Sequence, residues 1–268
     1  MPVEANFIHF LHALQQHRRL THGNHTQLHE SDSRGAYEIF QSSTINALLK
    51  GFYDGDMTYR QLREHGNFGL GTFNGLDGEM IACDGMFYQI KSDGIAYPVE
   101  DTQQTPFAVV QFFKPDFYDE LDRETEYEQL KTYFHRVLPA ENLFYAIRID
   151  GFFTHVEARS VPRQTEPYPP LVEVVKTQPV FELSHVQGTL IGFRFPDYTL
   201  GVNTPSYHLH FITRERKAGG HILGFQLKKG KLAVEHTANF HMELPRETAF
   251  LNADPTKNQQ EAMRQVEG

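Results

Sequence analysis

The chain carries one cysteine in 268 residues, Cys83. A single thiol cannot form an intrachain disulfide. It also excludes Cys-rich zinc folds and iron–sulfur clusters, which need several thiolates. Cys83 ends the apolar run Met80-Ile81-Ala82-Cys83 and reads as a small core hydrophobe rather than a nucleophile. Positive charge is scarce as well: 25 Lys and Arg stand against 34 Asp and Glu, a formal charge of −9. Nucleic acid and anionic membrane surfaces both call for a positive field, so neither is an expected partner. Long hydrophobic runs are missing. Stretches such as Phe107-Ala108-Val109-Val110 stop after a few residues, whereas a membrane span needs about 20. A secretory leader pattern is not seen either, because Glu4 stands near the start without an early Lys or Arg, and His9 and His12 break the apolar residues. The expected location is the cytoplasm, which a disulfide-free chain suits.

What is present has the balance of a globular protein, 40% hydrophobic and 22% charged. The length allows one large domain or two small ones, with enough chain to bury a real core. Residues 1–35 read as a weakly structured arm. Phe7, Phe10, Leu11 and Leu14 have the spacing of a short amphipathic helix. The histidines that punctuate this arm, His9, His12, His17, His22, His25 and His29, have few apolar residues around them to fix a metal geometry, so they read as solvated. The remaining unit is 36–268.

Ser43 or Thr44 can cap a helix through Leu49, and Thr58 can open another through Leu62. The period then changes to two. Asp77-Gly78 predicts a hairpin between 68–76 and 79–83, Asp93-Gly94 a second, and Asp150-Gly151 a third between 143–149 and 152–161. Residues 124–138 read as an amphipathic helix, and 169–175 as a short helix begun by proline. Strands follow at 180–183, 189–195, 207–213, 221–227 and 232–242, then a polar helical tail over 256–267. The fold class is α+β, mostly antiparallel or mixed sheet with a few helices. A weak repeat relates Phe68-x-Leu70 and Gly78-Glu79-Met80-Ile81 to Phe181-x-Leu183 and Gly188-Thr189-Leu190-Ile191. It suggests two related halves with a boundary near 165–178.

The strongest chemical signal is Tyr207-His208-Leu209-His210-Phe211-Ile212-Thr213. Side chains two apart on a strand share a face, so His208 and His210 point together. The turn-rich stretch 214–220 ends in Gly219-Gly220, and His221 opens the returning strand. A hairpin can bring His221 back beside His210. Three imidazoles with an open fourth position are the donor set of a catalytic zinc site. The alternative is three surface histidines on a solvated hairpin. A cupin-like iron oxygenase or isomerase would use the same histidines, but the carboxylate expected three or four residues after the second one is replaced by Thr213 and Arg214, with Glu215 one step too far. A ligand-binding β protein without chemistry, lined by some of the 22 Phe and 12 Tyr, is a third reading. On the strand 153–161, His155, Glu157 and Arg159 alternate with apolar residues, as on a solvated face. An inward Arg159 would instead offer a bidentate donor to a carboxylate substrate. By pattern alone, Glu79 is an exposed residue after a turn and Glu267 a tail residue.

The run His65-Gly66-Asn67-Phe68-Gly69-Leu70-Gly71-Thr72-Phe73-Asn74-Gly75-Leu76-Asp77-Gly78-Glu79 resembles the glycine-rich segment of α-acetolactate decarboxylases. So do Thr105-Pro106-Phe107-Ala108, Arg148-Ile149-Asp150-Gly151, Arg159-Ser160-Val161-Pro162-Arg163-Gln164 and the His208/His210/His221 hairpin. The five pieces keep the family's order from about residue 40 onward, and together they are specific. The resemblance implies a lyase that converts 2-acetolactate to acetoin and CO₂, on an α+β fold with two similar β-α-β-sheet motifs. It implies Zn²⁺ held by His208, His210 and His221, with Arg159, Glu79 and Glu267 as catalytic groups and Thr72 beside the substrate. The implied chemistry is a metal-stabilised enediolate, then stereospecific protonation. The implied partner is a small molecule, and a homodimer is left open.

Overall fold

The computed structural model describes residues 38–138, 140–246, 248–252 and 260–267. The stretch Phe7–Leu14 and the histidines of the N-terminal arm lie outside the described residues. Two large sheets dominate the rest, beside a two-stranded pair of Met57–Thr58 with Gln104–Thr105. The first has seven strands in the order Asn239–Glu243, Glu38–Ser42, Ala108–Gln111, Phe68–Thr72, Glu79–Cys83, Met86–Ile90 and Ala96–Pro98. Its outermost strand, Asn239–Glu243, runs parallel to Glu38–Ser42, and the other pairings are antiparallel. Three of its strands are buried at every residue. That is why they are written as continuous runs rather than as alternation. On one face Leu70, Ile81 and Val109 join the main core, and on the other Met80, Ala82 and Val110 pack with Tyr59 and Leu62.

The second sheet is built on three long strands, Phe144–Arg159, Val180–Phe195 and Gly219–Thr237, with Ser206–Thr213 beside them. Gly219–Thr237 pairs with both Phe144–Arg159 and Ser206–Thr213, so the pairings run round a closed ring of four strands. Phe153, Leu190, Phe211 and Leu227 fill one core with Leu130 and Phe134 of the helix Tyr127–Val137. The chain passes from one sheet to the other between Gln111 and Phe117. Residues 165–178, where the repeat suggests a boundary, connect two neighbouring strands of the second sheet through the short helix Leu171–Val174.

Several local expectations hold. Thr44 caps Ile45–Leu49, accepting from the Ala47 N–H. Thr58 and Gln61 form a capping box on Tyr59–Leu62. Asp93-Gly94 lies between two paired strands. Two turn expectations are overturned. At Asp150-Gly151 the strand runs straight through. Gly151 pairs with Gly188 on one side and Gly230 on the other, a row of glycines across three strands. A Cβ on Gly151 would lie 2.7 Å from both Leu227 Cδ1 and the Lys229 carbonyl, so glycine here answers close packing rather than a turn. Asp150 is fixed across the sheet, accepting from Arg148 Nε at 2.7 Å and Thr189 Oγ1 at 2.8 Å. The gaps expected at 184–188 and 228–231 vanish for the same reason. At Asp77-Gly78 the preceding strand stops at Thr72 and a 3₁₀ turn, Asn74–Leu76, intervenes, with the Asn74 amide bonded to the backbone of Gly55. The tight two-residue turn lies instead at Asp84-Gly85, with φ of 55° and 78°. The tail forms a helix over Gln260–Glu267, and 253–259 fall outside the described residues.

Candidate active site

Strand register builds the imidazole cluster. His208 and His210 lie on one face of Ser206–Thr213, and His221 is the cross-strand partner of His210. His221 also pairs with Arg159 on its other side. Gly219 and Gly220 permit this crowding: a Cβ on Gly219 would lie 2.2 Å from the Phe211 carbonyl, and one on Gly220 2.5 Å from the Arg159 carbonyl. The three histidines each offer a ring nitrogen, all within 4.8 Å of one another, and all three are buried. Ring centroids are 4.9–5.3 Å apart.

The protonation state follows from the partners. His210 Nδ1 lies 2.9 Å from the Met80 carbonyl. A carbonyl only accepts, so Nδ1 carries the proton and Nε2 keeps its lone pair. His221 Nδ1 and His208 Nε2 approach to 3.2 Å. Burial pushes His208 down to about 3, with the Arg159 cation adding to the effect. Burial also holds His210 and His221 well below the ordinary imidazole range. Neutral imidazoles are the form that ligates a metal. His208 Nδ1 and His210 Nε2 are buried with no hydrogen-bond partner among the described residues, which an interior of hydrogen-bonded polar groups leaves unexplained without a ligand. The donor set therefore fits a divalent metal such as zinc, three nitrogens with room for further ligands. Met80's carbonyl does for His210 what an outer hydrogen-bond partner does at metal sites: it fixes tautomer and ring orientation.

Arg159 is 3% exposed. It ends the long strand, just past a register shift in which the neighbouring strand Gly219–Thr237 carries one extra residue opposite Glu157 and Ala158. His155 and Glu157, which share its strand face by alternation, stay half-exposed, with His155 Nε2 3.2 Å from Glu182. Arg159 Nη1 donates to Gln178 Oε1 at 2.8 Å and Nη2 to the Val266 carbonyl at 2.9 Å. Glu79 is buried too. Its carboxylate lies 3.8 Å from Arg159 Nη1 and 3.7 Å from His210 Nε2, so it stands between the cation and the imidazoles. Thr72 faces Glu79 across the strand pair and donates its hydroxyl to the Gly78 carbonyl at 2.6 Å. Thr72, Glu79, Arg159, His208, His221 and Val266 all line one small cavity of about 40 Å³. Its apolar wall includes Ile45, Leu48, Phe107 and Leu171.

The structure thus brings Thr72, Glu79, Arg159 and the histidines to one place. Glu267 is the last residue of the terminal helix, next to the cavity-lining Val266, and its side chain lies outside the described residues. Glu215 is exposed on the turn. Gln178, Met80's carbonyl and Val266's carbonyl were not anticipated. Gln178 follows a short 3₁₀ turn and precedes a proline, a setting with no chemical signature.

Comparison with known proteins identifies relatives across nearly the whole chain. Residues 39–257 match the family model described as alpha-acetolactate decarboxylase. The alpha-acetolactate decarboxylase of Methylococcus capsulatus is 49% identical over 96% of this chain and 97% of its own length. That of Methanosarcina mazei is 51% identical over 85% and 80% respectively. The crystal structure of the Bacillus subtilis alpha-acetolactate decarboxylase superposes with a TM-score of 0.85, at 41% identity, over 86% of this chain and 99% of that one.

Proposed function

The chain belongs to the alpha-acetolactate decarboxylase family and is a lyase of that kind; from that premise we propose that it converts 2-acetolactate to acetoin and CO₂ with zinc held by His208, His210 and His221. Three buried, neutral imidazoles converging beside one buried cation and one carboxylate are the observation that carries this reading. Zinc bound there supplies a redox-inert Lewis acid for the ketone oxygen, where the electron pair freed by loss of CO₂ collects.

The chain's own groups do the rest. Arg159 binds and orients the substrate carboxylate through its planar N–H fork. When CO₂ departs, that guanidinium is left beside the carbon to be protonated. Glu79, between Arg159 and His210, holds and delivers the proton. Glu267, which ends the helix that closes the cavity, is a second proton carrier. Thr72 shapes the wall next to Glu79. Delivery from one face makes the acetoin a single enantiomer. Among the described residues no helix is long and apolar enough to cross a membrane. Cys83, a buried free thiol, suits a reducing cytoplasm.

The test is incubation with racemic 2-acetolactate, with and without a chelator, on protein purified without a His-tag. The expected result is acetoin and CO₂ formed by protein holding about one zinc per chain, lost on chelation and restored by zinc. Iron in place of zinc would favour a cupin-like oxygenase or isomerase. Binding of acetolactate without release of CO₂ would favour a ligand-binding protein.

A further inference from the structure

A guanidinium at 3% exposure must be held by acceptors, because an unpaired buried cation is costly. Arg159 has two such bonds, to Gln178 Oε1 and to the Val266 carbonyl. Its Nε–H is buried without a hydrogen-bond partner among the described residues, so the cation keeps donor capacity for one more anion. Gln178 is not part of the cavity wall. It reaches Arg159 from outside that wall, and its own backbone is fixed. The Gln178 N–H donates to the Val175 carbonyl, and the next residue, Pro179, accepts from the Ser160 N–H. One residue further on, Val180 is the strand partner of Arg159. The Gln178 side chain is therefore tied to the strand that carries the arginine.

We propose that Gln178 is a positioning residue, which fixes the Arg159 guanidinium in the orientation that receives the substrate carboxylate. This rests on the decarboxylase reading above and deepens it. A guanidinium free to swing about its long stem would meet the carboxylate in many geometries, and few of them place the breaking C–C bond correctly. Gln178 removes that freedom without touching substrate.

The test is Gln178→Met, which keeps side-chain length and removes the acceptor. On one preparation, metal content, kcat and KM are measured, together with inhibition by two unreactive ligands. One is the hydroxy acid made by reducing the substrate ketone to an alcohol, and the other is the corresponding diol without the carboxylate. Metal content is expected to stay unchanged and kcat/KM to fall roughly tenfold, less than the roughly 100-fold that a 1 Å misplacement can cost. Inhibition by the hydroxy acid is expected to weaken while inhibition by the diol does not; general structural damage would weaken both. In an Arg159→Lys background the same substitution is expected to add almost nothing, since neighbours acting through one group are non-additive. Wild-type kcat/KM in Gln178→Met beside an impaired Arg159→Lys, equal weakening of both ligands, or full additivity would each overturn the inference. Wild-type kcat/KM in Arg159→Lys would overturn the carboxylate reading itself.

Discussion

His208, His210 and His221 stand on two adjacent strands of one ring, 14 residues from first to last, whereas Arg159 depends on groups from three separate stretches of chain. Register alone sets the imidazoles together, with the Met80 carbonyl fixing one of them from the other sheet. The guanidinium is placed by a strand end, by Gln178 and by the backbone of the terminal helix, and it faces Glu79 from the first sheet. The difference predicts separable failures. Damage to the hairpin removes the metal and everything after it. Damage to the remote supports of Arg159 leaves the metal in place and spoils only what is done with the substrate.

The largest expected effect is on the imidazole side. His210→Ala removes one of the three proposed metal ligands. Changes to partners that merely orient a ligand already cost 10- to 100-fold at metal sites, so turnover should fall by more than about 100-fold. Metal content, read by elemental analysis, should fall with it; full occupancy at the wild-type rate would take His210 out of the site. A smaller effect is expected on the guanidinium side. Arg159→Lys keeps the charge and loses the fork, so kcat/KM should drop at least roughly tenfold, about 1.4 kcal/mol. Metal content should not change, and a parallel loss of metal would erase the distinction between the two halves.

The smallest effect on activity is expected from Glu235, which lies in neither half. It is 1% exposed, and it accepts from the Gln111 amide at 2.7 Å and the Lys114 N–H at 2.5 Å, on the segment joining the two sheets. Burial raises its carboxyl from 4.5 to about 7. The folded protein therefore binds a proton that the unfolded chain gives up at lower pH. The stability this adds is complete below about pH 4.5, declines as pH rises, and is gone above about 7, roughly 3 kcal/mol across the interval. Glu235→Gln should flatten that limb of the stability–pH curve, followed by chemical denaturation, and leave metal content and kcat near wild type. A limb that survives the substitution belongs to another group.

The same contrast explains what could be read from the sequence. His208, His210 and His221 were legible because a two-residue period and one short turn are local facts. The caps at Thr44 and Thr58 were legible for the same reason. Asp150-Gly151 misled because turn chemistry is also local, while the cause of that glycine is the presence of Gly188 and Gly230 on neighbouring strands far along the chain. Arg159 shares a face with His155 and Glu157 by simple alternation; what alternation does not reveal is that the end of that face, where Arg159 pairs with His221, is covered, leaving Arg159 buried and the other two half-exposed. Glu79 looked like an exposed turn residue, and only resemblance to a family marked it. Its burial comes from packing between the first sheet and the ring. Nothing in the order of residues links Gln178 or Val266 to Arg159.

The most direct measurement of the two-part construction is metal content and acetoin formation on one sample of protein lacking Val266–Gly268. The deletion removes the carbonyl that accepts from Arg159 Nη2, together with Glu267, and leaves all three imidazoles in the chain. Metal retained at the wild-type level, with turnover of acetolactate severely reduced, is the predicted result. Wild-type turnover, or loss of metal in step with activity, would contradict it.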